Sequence, residues 1–196
     1  YKNFEVINND ILKVDLNEII KQAKEKFNLK NAKIVANLPY YITTPIIMKL
    51  LESKIDITSI TVMIQKEVAD RLAEIPGGKN TGAITYTVYY YGEPEKLLEV
   101  PKSSFIPEPS VTSEVIKINI RKEPPVKVQN EERFFKLIKV AFLQRRKTLL
   151  NSLTNNGISN KEELTQLLSK LNIDEKIRSE KLTIDQFAEL SNNLNT

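Results

Sequence analysis

The stretch Lys33-Ile34-Val35-Ala36-Asn37-Leu38-Pro39-Tyr40 decides the fold: a short strand-forming run passes directly into a turn opened by Asn and stiffened by Pro. Outward from it, Phe4-Glu5-Val6-Ile7 and Ile60-Thr61-Val62-Met63-Ile64 are further short apolar runs that read as buried strands. Helical patterns over Leu16–Phe27 and residues 45–53 lie between them. Strands and helices alternating at this spacing predict an α/β fold with a parallel sheet and right-handed crossovers. Residues 100–109 form a proline-punctuated loop, and residues 112–121 alternate Val115, Ile116, Ile118 and Ile120 with polar side chains as a last strand does. Residues 82–92 suit a strand by their tyrosines and β-branched residues and a helix by their length, and both readings stand.

Glu123-Pro124-Pro125-Val126 marks a boundary, because paired prolines interrupt either periodicity and everything after them is helical in pattern. Residues 1–122 are therefore expected to form one domain and residues 127–196 a smaller all-α domain. Its helices are expected at about 131–155, 161–171, 174–177 with a turn at 178–180, and 183–194. The last opens on Thr183 with Gln186 three residues on, the pattern of a capping box.

The 196 residues include no cysteine and no histidine. That excludes disulfides, thiolate catalysis and zinc–thiolate sites, and removes the usual metal ligand and near-neutral general base, so no metal site is expected. An apolar content of 41% allows a real core. No apolar run approaches the roughly 20 residues of a membrane span, residues 1–10 lack a signal-peptide pattern, and a cytoplasmic location is expected. The net charge of +4 is unevenly placed: residues 121–150 hold nine Lys/Arg against three Glu, leaving twenty against twenty-two elsewhere. Such asymmetry suits a polyanion partner, although an ordinary solvated helix face gives the same count. On a helical wheel Arg133, Lys136, Lys139, Arg146 and Lys147 share one arc opposite Phe134, Leu137, Ile138, Ala141 and Phe142, which strengthens the polyanion reading.

Asn37-Leu38-Pro39-Tyr40 follows a strand of the kind whose carboxyl end carries ligands in open parallel sheets. It offers a carboxamide oxygen, backbone carbonyls and a ring that can stack on a flat ligand. Adenine fits these groups. Its amine has two N–H donors and a lone pair delocalised into the ring. Two acceptors, the Asn37 side-chain oxygen and the Leu38 or Pro39 carbonyl, can hold the amine and favour a pyramidal nitrogen aimed at an electrophilic methyl group. Stacking on Tyr40 is worth about 1–3 kcal/mol, and a base held this way must be unpaired or flipped out. The plainer alternative is a turn after a strand, where Asn and Pro are common.

Four blocks carry a resemblance. Asn37 to Pro45 (Asn-Leu-Pro-Tyr-Tyr-Ile-Thr-Thr-Pro), Gln65 to Leu72 (Gln-Lys-Glu-Val-Ala-Asp-Arg-Leu), Phe105 to Ser113 (Phe-Ile-Pro-Glu-Pro-Ser-Val-Thr-Ser) and Phe142 to Thr148 (Phe-Leu-Gln-Arg-Arg-Lys-Thr) resemble the ribosomal RNA adenine dimethyltransferase family in order and spacing. The first and third are shared with the large-subunit, macrolide-resistance methyltransferases; the fourth is more similar to the small-subunit enzymes. The resemblance implies a Rossmann-like methyltransferase sheet with a helical RNA-binding domain, S-adenosylmethionine as methyl donor, and dimethylation of two adjacent adenosines near the 3′ end of small-subunit RNA. It implies a partner in that RNA or the small ribosomal particle, a role in small-subunit maturation, and a monomer. It assigns Asn37, Leu38, Pro39 and Tyr40 to the target adenine, Asn37 also to the methyl donor, and Phe105 to the other face of the base. Asp10 falls where the family binds the cofactor's adenine, although an Asp before a helix is also an ordinary N-cap. Gln65, Lys66, Glu67 and Arg71 are expected to shape the site wall, and Arg133, Lys136, Lys139, Arg145, Arg146 and Lys147 to contact RNA. Tyr41 stands where the family often has asparagine. Rivals are the large-subunit methyltransferase and a non-catalytic assembly factor.

The family's glycine-rich cofactor loop has no counterpart here, since Gly77, Gly78, Gly82, Gly92 and Gly157 are the only glycines and none follows a strand in a G-x-G-x-x-G setting. The sheet is therefore expected to lack its N-terminal strands, and the 196 residues alone to bind S-adenosylmethionine weakly or not at all and to be inactive.

Overall fold

The computed structural model describes residues 4–144 and 146–194. Helix α1 (Leu16–Phe27) has the limits its sequence predicts, because Asp15 accepts from the Asn17 and Glu18 N–H groups at one end and Asn28 takes a left-handed conformation (φ 49°) at the other. Strand β1 (Lys33–Asn37), helix α2 (Thr43–Glu52) and strand β2 (Ser59–Gln65) then form a βαβ unit, with β1 and β2 parallel from Lys33 opposite Ser59 to Asn37 opposite Met63.

Beyond β2 the sheet departs from the all-parallel expectation. Helices α3 (Lys66–Leu72) and α4 (Ala83–Tyr91) carry the chain to β3 (Gly92–Val100), and the chain then returns as β4 (Ser113–Ile120). Strand β4 lies antiparallel to both β2 and β3, giving the order β1-β2-β4-β3. A returning strand inserted between two that run together must be antiparallel to both. Its consequence is positional: the loop 101–112 sits at the same sheet edge as Asn37 and Gln65.

Phe4, Val6 and Ile7 were expected in a strand, but they lie in no strand and are 69%, 76% and 51% exposed. Strand propensity yields a strand only where a ladder partner completes its hydrogen bonds, and this segment has none among the described residues.

The ambiguous stretch 82–92 is helical because it serves two cores. Ile84 and Val88 pack in the sheet core with Ile47, Ile60, Leu72 and Ile116, whereas Tyr86 and Tyr90 pack in the helical core with Phe134, Leu153 and Phe187. Positions two apart lie about 200° apart on a helix, so one helix feeds both sides. At its end Gly92 permits close approach, since a Cβ there would lie 2.4 Å from Ile118 Cγ2.

The expected helix over 131–155 is two helices, α5 (Glu131–Ala141) and α6 (Leu149–Asn155). The break lets Leu149, Leu150 and Leu153 join the core that Phe134, Leu137 and Ile138 already enter. Thr148 caps α6 through the Asn151 N–H, and the Ser152 hydroxyl lies 3.0 Å from the Val140 carbonyl and 3.2 Å from the Ala141 carbonyl at the end of α5. Helix α7 (Lys161–Lys170) follows. The expected helix at 174–177 is a single turn, with the Asp174 side chain accepting from the Lys176 N–H and its carbonyl from the Ile177 N–H. The expected turn at 178–180 is a short 3-10 turn, Ser179–Lys181. Helix α8 (Ile184–Asn193) begins with the predicted capping box of Thr183 and Gln186.

Candidate active site

Asn37 ends β1 and is exposed at the sheet's carboxyl edge. Leu38, by contrast, is buried and its N–H donates to the Met63 carbonyl of β2, which fixes where the turn departs. The Pro39 carbonyl accepts twice, from the Ile42 N–H at 3.2 Å and from the hydroxyl of buried Thr43 at 3.1 Å. These bonds shape the 3-10 turn Tyr40–Ile42 that enters α2. Half-buried Tyr40 is tied to β4 by its hydroxyl, 2.6 Å from the Ser113 Oγ.

The loop from β3 closes the other side. Pro101 leads into a 3-10 turn at Lys102–Ser104, where the Phe105 N–H donates to the Lys102 carbonyl, and Phe105 is held extended. Asn37, Leu38, Pro39, Tyr40, Phe105, Pro107 and Pro109 together line a cavity of about 260 Å³. The structure thus brings Phe105 to the Asn-Leu-Pro-Tyr turn across 65 residues of sequence, making a small pocket between two aromatic rings.

The other expected site residues lie apart from this lining. The Asp10 carboxylate accepts from the Leu12 N–H, and its carbonyl from those of Lys13 and Val14. Lys49 then secures this turn by donating to the carbonyls of Ile11, Leu12 and Val14 at 3.1, 2.8 and 2.7 Å, a role that an isolated lysine in the sequence does not signal.

Arg71 pairs with Glu67 at 2.9 Å along α3, and Lys66 joins a charge network instead of the pocket wall. Lys66 lies 3.4 Å from Glu114, and Lys96 lies 3.3 Å from Glu114 and 2.5 Å from Asp70. The hydrogen bond from Lys96 holds the Asp70 carboxyl below its usual range, and the same bond holds the Lys96 ammonium above its own. Glu114 itself is buried, so its two lysines compensate a carboxylate removed from water.

Of the basic residues, Lys136 and Lys139 are exposed on α5. Arg133 is half-buried and its guanidinium donates to the Leu194 carbonyl at 3.1 Å, at the end of α8. Arg146 and Lys147 are exposed but belong to the segment between α5 and α6, so the single helical arc expected for all five does not exist. With Leu143, Gln144 and Asn155 they line a surface cavity of about 480 Å³. Arg145 lies outside the described residues.

A further cavity of about 340 Å³ sits at the opposite sheet edge, lined by Lys54, Tyr91, Arg121 and Glu131 among others. Its polar groups satisfy one another: Glu131 accepts from the Tyr91 hydroxyl at 2.5 Å and pairs with Lys54 at 2.9 Å. No cluster of metal-ligating side chains and no helix long and apolar enough to cross a membrane is present among the described residues.

Asn37 and Asp10 are the residues expected to meet a methyl donor, and of the two only Asn37 lines the cavity with Phe105. Neither Gly77, Gly78, Gly82, Gly92 nor Gly157 lies at the carboxyl end of β1.

A protein described as "Ribosomal RNA small subunit methyltransferase A" in Clostridioides difficile (strain 630) is 52% identical over 194 residues, covering 99% of this chain and 66% of that protein. The protein of the same description in Geobacillus sp. (strain WCH70) is 47% identical over 197 residues, covering 99% of this chain and 67% of its own length. The chain thus spans about two thirds of the length of these curated relatives. Among solved structures, a dimethyladenosine transferase from Plasmodium falciparum superposes with a TM-score of 0.73 at 26% identity, covering 97% of this chain and 72% of that one. The 23S rRNA methyltransferase ErmE shares the fold, with a TM-score of 0.64 at 21% identity over 98% of this chain and 72% of its own. The family profile described as ribosomal RNA adenine dimethylase matches residues 1–196, and the chain belongs to that family.

Proposed function

We propose that the protein carrying this chain dimethylates the exocyclic amine of two adjacent adenosines near the 3′ end of small-subunit ribosomal RNA, in the cytoplasm and as a monomer, during small-subunit maturation. The observation that carries the reading is the pocket that joins Asn37, Leu38 and Tyr40 to Phe105 across the sheet edge. High identity to relatives described as small-subunit methyltransferases favours that substrate over large-subunit RNA, and a cavity lined by Asn37, Tyr40 and Phe105 favours an enzyme over a purely binding factor.

The target adenine lies between Tyr40 and Phe105, flipped from its stack. Asn37 Oδ1 accepts one N–H of the amine and a backbone carbonyl accepts the other. The Pro39 carbonyl already has two donors, so the Leu38 carbonyl takes that part. S-adenosylmethionine, when bound, supplies an electrophilic methyl group on a sulfonium centre. The two acceptors hold the amine with its lone pair out of the ring plane, and its proton, acidic once the new N–C bond forms, leaves to water without a strong base. That suits a chain without histidine or cysteine.

Residues 127–196 serve as a separate RNA-gripping domain beside the catalytic domain of residues 1–122. Exposed Lys136, Lys139, Arg146 and Lys147 give sequence-independent phosphate contacts, and Arg145 belongs with them by sequence. Arg133 supports the same surface from its place on α5, where its guanidinium donates to the Leu194 carbonyl. Methyl transfer to unmodified small subunits, read as dimethyladenosine after nuclease digestion, tests the proposal.

A further inference from the structure

Ser113 is fully buried, 0% exposed, at the start of β4, next to buried Glu114 and on a strand that also buries Ile116 and Ile118. A hydroxyl in such a place is costly unless bonded, and this one lies 2.6 Å from the Tyr40 hydroxyl, 73 residues away in sequence. Ser113 is also held firmly. It pairs with Gln65 of β2 and Val100 of β3, and the Lys66 N–H donates to the carbonyl of the preceding Thr112 at 2.9 Å. The following residue, Glu114, is fixed by Lys66 and Lys96. Four residues before Ser113, Pro109 lines the pocket on the loop that presents Phe105. One buried side chain therefore joins the strand carrying the Phe105 loop to the ring on the other side of the pocket.

We propose that Ser113 is a positioning residue for methyl transfer: its hydroxyl fixes the plane of the Tyr40 ring opposite Phe105, so that a flipped adenine enters a slot of set width. The proposal rests on the reading that Tyr40 stacks on the target base. Without the bond, Tyr40 keeps its place in the turn but its ring rotates, and the amine loses its alignment although the RNA stays bound.

The test is a double-mutant cycle in the full-length protein with unmodified small subunits as substrate, comparing Ser113→Ala, Tyr40→Phe, the double variant and Tyr40→Ala. The expected result is a kcat lower by about fivefold in each of the first two, as for loss of one neutral hydrogen bond. The double variant should be no worse than either, and the KM for RNA should stay within about twofold because phosphate contacts hold it. A packing role alone predicts losses that add in the double variant and a Tyr40→Phe protein like wild type, and either result overturns the proposal. Should Ser113→Ala fail to fold, Tyr40→Phe carries the test by itself, since it leaves Ser113 in place. Tyr40→Ala separates the two levels: a strongly impaired Tyr40→Ala beside an unimpaired Tyr40→Phe rejects the positioning role only, whereas an unimpaired Tyr40→Ala rejects the stacking reading and the proposal with it.

Discussion

The Tyr86 hydroxyl donates to the Leu182 carbonyl at 2.7 Å, and the Ser179 carbonyl lies 3.2 Å from the same oxygen. Through it α4, which closes the sheet core with Ile84 and Val88, is bound to the segment leading into α8. Burial pushes the Tyr86 phenol well above its ordinary range, so it stays a neutral donor. Tyr86→Phe strands the Leu182 carbonyl without that donor and should lower the unfolding free energy by about 1–3 kcal/mol. Urea titration of the two proteins measures it.

Glu131 sets an acid limb on stability. Burial raises its pKa, but the Tyr91 hydroxyl and the Lys54 ammonium together outweigh this and hold the carboxyl below its ordinary range. A carboxylate with a depressed folded pKa contributes stability that is complete above the unfolded pKa and is lost as pH falls through the folded one. Wild type should therefore exceed Glu131→Gln in stability by a constant margin near neutral pH, and the margin should shrink below about pH 4. Denaturation midpoints across an acid series check this; a margin independent of pH contradicts it.

Asn37 offers an acceptor to a reacting amine and makes no phosphate contact in this account. In the full-length protein Asn37→Ala should abolish methylation while leaving RNA affinity within about threefold. Single-turnover methylation alongside filter binding separates the two effects.

The basic residues divide by exposure. Lys136→Ala and Lys139→Ala should weaken RNA binding uniformly, each reducing the salt slope by about one, with no change in melting temperature. Arg133→Ala removes a donor from the Leu194 carbonyl and should lower the melting temperature as well. Salt-dependent binding and thermal melts of the three variants distinguish these roles.

Much of this was legible from local signals. Asp15 and Asn28 bracket α1, Thr183 and Gln186 open α8, and the Asn37 turn follows β1, because caps and turns are short-range chemistry. The family resemblance assigned Phe105 to the same base as the Asn37 turn, and the two line one cavity. What escaped depends on partners distant in sequence. Residues 82–92 become a helix because two cores meet on opposite sides of them, and residues 131–155 break in two because Leu149 and Leu153 must turn back into a core. Residues 4–7 have strand composition without a ladder to join among the described residues. Ser113 carries no signal of its own, as a serine at a strand's start is ordinary until Tyr40 is seen beside it.

The most direct test of the central claim is methyl incorporation from labelled S-adenosylmethionine by the full-length protein, offered unmodified small subunits in one reaction and protein-free large-subunit RNA in another. The account predicts label in small-subunit adenosines, released on digestion as dimethyladenosine. Label confined to large-subunit RNA, or no label in either while RNA binding is intact, would contradict it.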